Sequence, residues 1–283
     1  MRRWPGSGAL LRRRLAAVAV NGTLAVLALL TAVPLLWMLS ASLMAPGEAL
    51  SLPPRLLPAE PTLHHYRQLF DHLDLARALR NTFVLASAIT GISLLCNSMA
   101  GYAFAKLRFR GRDRLFALLV ATLIVPPQVT VLPLFLEVRA LGLVNSFGGV
   151  IVAGIATVFG IFLVRQFALA IPDELIDAAR VDGASELRIY WTIVLPLLKP
   201  ILVTLGVFTF LSAWNDFMWP LIVLTDESKY TLPVAIANLS GEHVQDTELM
   251  MAGAVVTVLP ALALFLALQR YYVSGILMGG VKE

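Results

Sequence analysis

Apolar residues form long runs along this chain, and short polar segments separate them. The runs lie near residues 15–39, 81–105, 115–138, 147–164, 201–224 and 250–269. A transmembrane helix needs about 20 predominantly apolar residues, and each run is close to that length or exceeds it. The pattern predicts an all-α, polytopic membrane protein with six transmembrane helices.

Composition supports the membrane class. Of the 283 residues, 58% are hydrophobic and 14% are charged, with a mean hydropathy of +0.80; soluble domains carry about 25% charged residues. The first run follows three arginines as a signal peptide would, but it is about 25 residues long, which is too long for a signal core of 7 to 15. A disulfide scaffold is excluded because Cys96 is the only cysteine.

The distribution of basic residues predicts the orientation. Of the 22 lysines and arginines, 16 lie in the N-terminal segment, the loops after the second and fourth runs, and the C-terminal end. Basic residues favour the cytoplasmic side, so both termini are predicted to be cytoplasmic. We therefore divide the chain into a basic N-terminus (1–14), a first span with a Pro-rich outer loop (15–75), a transmembrane core (76–270) and a cytoplasmic tail (271–283). This distribution of basic residues explains the net charge of +4, so the charge does not indicate a nucleic-acid partner.

Two outer loops exceed the length of a connector. The first is Pro-rich and is predicted to end in a short interfacial helix that contains His64 and His65. No metal site is predicted there, since adjacent helical residues point about 100° apart and no further ligand has suitable spacing. The last outer loop, residues 225–248, is acidic and predicted to be exposed. Its charge is compatible with a solvated connector and with a docking surface for an external partner.

The inner loop 165–200 predicts a bent pair of helices. Pro172 and the acidic residues after it are typical of a helix start. Gly183 is suited to the left-handed conformation that ends a helix. A second helix is predicted from about Ser185, and Pro196 and Pro200 are predicted to break it before the fifth span.

The first helix of this pair carries small and acidic side chains. Ala178 and Ala179 allow close approach of another surface, and Asp177 and Asp182 can pair with basic groups. A docking surface and a self-packed loop both remain compatible with these residues.

This segment resembles the EAA motif of the membrane subunits of binding-protein-dependent ABC importers. The matching residues are Asp177, Ala178, Ala179, Asp182 and Gly183, followed by Pro196. In that family the motif forms a coupling helix that docks into the ATPase subunit. The sequence departs at Asp177, where the family usually has glutamate; the charge is kept and the side chain is one methylene shorter. Segments 97–111, 141–146, 214–217, 230–233 and 279–282 are similar to the MalG-like subunits of carbohydrate importers.

The resemblance implies a type I ABC importer permease fold in the bacterial cytoplasmic membrane, with the coupling helix between spans 4 and 5. It implies a second homologous membrane subunit, an ATPase dimer that carries ATP and Mg, and an extracytoplasmic solute-binding protein. It implies a mono-, di- or oligosaccharide as solute, or alternatively a glycerol phosphodiester or polyol, and no cofactor on this chain. The implied contact with the binding protein comprises Asn238, Leu239, Ser240, Gly241 and Glu242.

Polar residues within the apolar runs receive separate interpretations. Ser93, Asn97, Gly101 and Ala105 recur every four residues and predict a helix-packing stripe. Asn215 and Asp216 lie within or at the edge of a span, where polar groups are costly, so they are assigned to the translocation path or to a subunit contact. Pro126 and its neighbours predict a kink in the third span.

Other function classes fit less well. No lysine follows a glycine, so a phosphate-binding loop is missing and the chain is not predicted to be an enzyme that hydrolyses ATP. All four histidines lie outside the spans, and Asp216 has no intramembrane aspartate partner, which disfavours an intramembrane protease. An ion-driven secondary transporter remains the alternative, although it usually shows inverted repeats and several intramembrane charges.

Overall fold

The computed structural model describes the backbone of residues 7–53, 55–71, 74–242 and 246–280. Side-chain burial and contacts are described within residues 15–238 and 246–267. All regular elements in these ranges are helical, which confirms the all-α prediction. The α-helices are α1 (Ser7–Ala41), α2 (His64–Asp71), α3 (Leu75–Lys106), α4 (Arg112–Ala121), α5 (Pro127–Ala140), α6 (Phe147–Val152), α7 (Val158–Leu169), α8 (Asp173–Val181), α9 (Glu186–Ile189), α10 (Leu195–Trp214), α11 (Met218–Val223), α12 (Leu232–Glu242) and α13 (Thr247–Gly280).

Four helical segments of the described chain are long and apolar enough to cross a membrane. They are Leu15–Ala41, Leu75–Lys106, Glu186–Trp214 and Thr247–Ala267. Four of the six predicted spans therefore correspond to continuous helices. The predicted fifth span extends too far, because α10 ends at Trp214 and a short break precedes α11.

The other two predicted spans are broken helices. The third consists of Arg112–Ile124 and Pro127–Ala140, which meet at 109°. Pro126 is extended there (φ −60°, ψ 133°) because the following Pro127 disfavours the helical region for it. The break lies where the sequence predicted a kink. The fourth span is divided into α6 and the 12-residue α7.

The segment between α9 and α10 also differs from prediction. A π-helical segment, Tyr190–Val194, joins the two helices, so one helical span runs from Glu186 to Trp214 through Pro196 and Pro200. The predicted break at these prolines is wrong. Pro196 lies two residues after the π segment, so its missing N–H falls where the regular helical hydrogen-bond pattern is already interrupted.

The predicted stripe on α3 is buried against α7, which confirms its packing role. Ser93 and Asn97 are fully buried, and Ala105 is 7% exposed. An added Cβ at Gly101 would lie 2.6 Å from Val164 Cγ1 of α7. Asn97 accepts the Thr157 backbone N–H at 2.9 Å and so caps the broken end of the fourth span. The stripe therefore fixes both the helix contact and the position of the break.

The described chain divides into two compact units. The first comprises Met1–Leu73 with Leu239–Val256, and the second Asp74–Asn238 with Thr257–Glu283. In the first unit, α2 confirms the helix predicted in the first outer loop. His65 on α2 is fully buried and its Nε2 lies 3.1 Å from Met44 O.

The sequence predicted an exposed loop over the acidic segment 225–248, but residues 232–242 of this segment form helix α12. Leu232 and Val234 are fully buried, as is Glu248, whose Oε1 accepts the Ala49 backbone N–H at 2.7 Å. The Leu232 N–H donates to Thr82 Oγ1 at 2.7 Å, which ties the helix start to α3. The predicted Asn238–Glu242 tip forms the last turns of α12, and the side chains of 239–242 lie outside the described surroundings.

Candidate functional site

Helix α8 is short, and specific residues define both of its ends. Pro172 precedes it, and Asp173 and Glu174 lie in its first turn, as the sequence predicts. At the other end, Gly183 has a φ of +78°. Its N–H donates to Arg180 O and the following N–H donates to Ala179 O, each at 3.0 Å. These two hydrogen bonds form a Schellman motif, which confirms that Gly183 ends the helix in the left-handed conformation.

One side of α8 is anchored in the protein interior. Ile176 is 1% exposed and belongs to a buried cluster with Ile171, Ile189 and Tyr190. Ala179 is half-buried and packs against the same cluster. Burying an isoleucine side chain stabilises the fold by about 1.5 to 3 kcal/mol, so Ile176 attaches α8 to the interior.

The other side of α8 is exposed at the protein surface. Among the predicted site residues, Asp177, Ala178 and Asp182 are exposed, so the two alanines lie on different sides of the helix. Two apolar side chains accompany them: Leu175 is 44% exposed and Val181 is 87% exposed. The sequence interpretation missed Val181, although an apolar residue beside a helix-ending Asp-Gly is a usable signal.

Arg180 connects α8 to α9. Its Nε donates to Glu186 Oε1 at 2.7 Å, and its Nη1 donates to Asp177 Oδ1 at 2.8 Å. The hydrogen bond from Arg180 to Glu186 is the largest influence that raises the pKa of this guanidinium above its usual value, so Arg180 stays charged. The sequence predicted a pairing role for Asp177, but not that its partner lies in the same helix.

Glu186 extends this connection to α3. Its Oε2 accepts the Tyr102 hydroxyl at 2.8 Å, while Oε1 holds Arg180. Tyr102 in turn lies beside Tyr190, with ring centroids 6.0 Å apart, and the Tyr190 hydroxyl lies 2.7 Å from Ser98 Oγ. Side chains from α3, α8, α9 and the π segment thus form one network. Nothing in the sequence indicated that Tyr102 and Glu186 would meet.

Lys106 at the end of α3 holds the start of α8. Its Nζ donates to Ile171 O and to Asp173 Oδ1, both at 2.6 Å. The Lys106 side chain is only 6% exposed. Its hydrogen bond lowers the pKa of the Asp173 carboxyl, with its positive charge as a further cause. Helix α8 is therefore attached to α3 at both ends, by Lys106 at the first turn and through Tyr102 at the last.

Pro196, the remaining residue assigned to this site, lies away from α8. It is exposed in the first turn of α10 and lines an apolar groove with Leu94, Leu202 and Gly206.

A second candidate site is a cavity of about 600 Å³ between α3, α5, α7 and α10. Its wall is mainly apolar, with five hydroxyl or carboxyl side chains from Thr130, Thr157, Thr209, Ser212 and Asp216. Asp216 follows the end of α10 and accepts the Trp219 backbone N–H at 3.4 Å. Asn215 does not line the cavity: it is exposed and its side chain donates to Leu211 O at 2.8 Å. The structure thus separates the two residues that the sequence grouped together.

Within the described residues, no group of three or more His, Cys, Asp or Glu residues is placed to hold a metal ion.

Comparison with known proteins identifies the family of the chain. The profile of the family described as "Binding-protein-dependent transport system inner membrane component" matches residues 97–277. The arabinooligosaccharides transport system permease protein AraQ of Halalkalibacterium halodurans is 37% identical over 244 residues, 86% of each chain. The melibiose/raffinose/stachyose import permease protein MelC of Bacillus subtilis is 34% identical over 253 residues, 88% of this chain and 91% of MelC.

The fold matches a solved transporter as well. A chain of a bacterial ABC transporter involved in the import of the acidic polysaccharide alginate superposes with a TM-score of 0.80 and 25% identity, covering 96% of this chain and 100% of that one. The family match covers more than half of the sequence and includes α8 and its supporting network. The chain therefore belongs to the family of inner-membrane components of binding-protein-dependent transport systems.

Proposed function

We propose that this protein is the permease subunit of an ABC importer that moves a sugar across the bacterial cytoplasmic membrane by alternating access. The observation that carries the proposal is α8: an exposed face with small, acidic and apolar side chains, on a helix attached to α3 at both ends. Sugar as the solute is supported by the relatives AraQ and MelC and by the alginate transporter. ATP and Mg belong to a separate ATPase dimer, and this chain catalyses no reaction itself.

The exposed face of α8 is the proposed ATPase contact. Ala178 permits close approach, while Leu175 and Val181 supply apolar area for a groove in the partner. Asp177 contributes less to such a contact than its charge suggests, since Arg180 already pairs with it. Asp182 forms no ion pair with a described residue and is the stronger candidate for a basic partner group.

A displacement of α8 would be transmitted to the membrane-spanning helices by two routes. One is the network from Arg180 through Glu186 to Tyr102 on α3. The other is the continuous helix from Glu186 to Trp214, in which a displacement at the inner end reaches the cavity beside Asp216. Rocking of packed helices is a recognised form of such transitions.

The cavity beside Asp216 is the proposed part of the solute path. Its volume lies in the usual range for small-molecule sites, about 300 to 1,000 Å³. Hydroxyls and a carboxylate on an otherwise apolar wall suit a solute with many hydroxyl groups. We assign Asp216 to this path and Asn215 to a contact with the second, homologous membrane subunit.

The end of α12, Asn238–Glu242, is the proposed contact with the extracytoplasmic solute-binding protein. Support comes from its position at the end of α12, next to the connection to α13.

The proposal is tested with the importer reconstituted in liposomes with its binding protein. Uptake of a labelled oligosaccharide should require ATP and the binding protein. Uptake that proceeds on a proton gradient without ATP would identify an ion-driven transporter instead.

Replacing Glu186 with alanine is expected to reduce ATP-driven uptake severalfold while the protein still reaches the membrane. The change removes the acceptor for both Arg180 and Tyr102, so the last turn of α8 loses its connection to α3, while Lys106 still holds the first turn. Glu174→Ala is the matched control, because Glu174 is also an exposed acidic residue in a first helical turn and no described ion pair involves it. Equal uptake by the two variants would show that the network does not transmit the motion.

Cysteine labelling is expected to place α9 and the segment before α12 on opposite sides of the membrane. Leu187 is 57% exposed and Glu227 is exposed, so both positions accept a probe in a chain that lacks Cys96. In intact cells, an impermeant maleimide should label Glu227→Cys and spare Leu187→Cys. The reverse pattern would contradict cytoplasmic termini.

A further inference from the structure

Four arginines cluster where α3 passes into α4. They line a surface cavity of about 830 Å³ together with Phe109, Gly111 and Asp113; the arginines are Arg108, Arg110, Arg112 and Arg114. We call this segment, residues 108–114, the arginine loop. Gly111 has a φ of +82°, which turns the chain so that both halves of the loop border the same cavity.

The positive charge of this loop is largely uncompensated. Arg112 is held in place, since its Nε donates to Asp113 Oδ1 at 3.0 Å and its Nη1 to Leu107 O at 3.4 Å. Arg108, Arg110 and Arg114 form no ion pair with a described carboxylate and are exposed. Four guanidinium groups face the carboxylate of Asp113, and Arg108 also interacts electrostatically with Asp173, so positive charge remains in excess.

The loop lies at the boundary between apolar and polar surface. It begins directly after α3, whose 32 residues form one span. On its other side α4 has no buried residue and exposes Leu115 by 51% and Leu118 by 66%. Phe109 within the loop is 42% exposed, as expected for a ring at the level of lipid headgroups. Apolar side chains suited to acyl chains therefore adjoin the arginines directly.

We propose that the arginine loop binds the headgroup phosphate of an anionic phospholipid. A guanidinium group presents parallel N–H donors that match phosphate oxygens, and several of them in one cavity favour a phosphate diester over an isolated chloride. The adjoining exposed leucines of α4 favour a lipid over a soluble phosphate, because they provide a surface for the acyl chains. The loop thus anchors the inner end of α3, next to the network that supports α8. This inference does not depend on which solute is transported.

The test measures lipid retention by the assembled importer in mild detergent, using native mass spectrometry after addition of phosphatidylglycerol or phosphatidylcholine. The intact protein should retain phosphatidylglycerol preferentially. The triple variant R108Q/R110Q/R114Q should retain at least about tenfold less of it, since each basic residue near an anionic lipid surface strengthens binding severalfold.

A second triple variant, R67Q/R80Q/R139Q, is the matched control. These three arginines are also exposed and form no ion pair with a described carboxylate. Equal losses in both triple variants, or equal retention of both lipids by the intact protein, would overturn the proposal. Displacement of phosphatidylglycerol by inorganic phosphate at low concentration would assign the loop to a soluble anion. Loss of the ATPase subunits from R108Q/R110Q/R114Q with unchanged lipid retention would assign it to the ATPase interface.

Discussion

Replacing Gly101 with alanine is expected to reduce the yield of folded protein strongly and to lower its thermal unfolding midpoint in detergent. A Cβ at this position would lie 2.6 Å from Val164 Cγ1, 2.7 Å from Val164 Cβ and 3.0 Å from the Arg165 backbone nitrogen. Val164 is fully buried and cannot move aside, so α3 and α7 must separate. Overpacking of this kind costs about 1 to 3 kcal/mol.

Gly91→Ala provides the control on the same helix. An added Cβ there meets nothing within 4 Å, and alanine is the better helix former by about 0.8 to 1.0 kcal/mol. The Gly91 variant should therefore be at least as stable as the natural protein. The measurement is the thermal midpoint from fluorescence-detected size-exclusion chromatography. A Gly101→Ala protein with an unchanged midpoint would show that the α3–α7 contact tolerates an increase in separation.

The sequence predicted the α3 stripe because spacing of four residues is a local property of a helix. Its partner was not predictable, because Asn97 meets Thr157 at a separation of 60 residues. The same holds for the contact between Tyr102 and Glu186, which are 84 residues apart. Periodicity indicates which side of a helix is packed, but not what packs against it.

The errors have a common physical origin. Proline rules predicted breaks at Pro196 and Pro200, yet a π segment and neighbouring helices maintain the span. Charge predicted an exposed loop over 225–248, yet Leu232 is buried and bonded to Thr82. In both cases the structure around the residues overrode the preference of the residue type. The end of α8 at Gly183 was predictable because a left-handed turn is set by the residue itself.

Replacing Gly183 with valine is expected to abolish most ATP-driven uptake while leaving the protein in the membrane. Gly183 has a φ of +78°, which costs a residue with a side chain about 1 to 2 kcal/mol, and more for a β-branched one. Relaxing that strain would break the hydrogen bonds that the N–H groups of Gly183 and Ala184 donate to α8. A cost of this size lowers the ratio of correctly ended to otherwise ended helix about 5- to 30-fold. The measurement is uptake per reconstituted importer.

Gly183→Asn separates conformational strain from loss of space. An added Cβ meets nothing within 4 Å, so neither variant clashes with a neighbour in this chain. Asparagine tolerates the left-handed conformation far better than valine does, and its variant should retain most of the uptake. Both variant proteins should insert into the membrane and bind the solute-binding protein equally. Gly183 is exposed, and it does not belong to α12, whose end is the proposed contact with the binding protein. If valine and asparagine reduce uptake equally, the glycine is required for close approach of the ATPase and not for its backbone conformation. If valine leaves uptake intact, the direction of α8 does not control coupling.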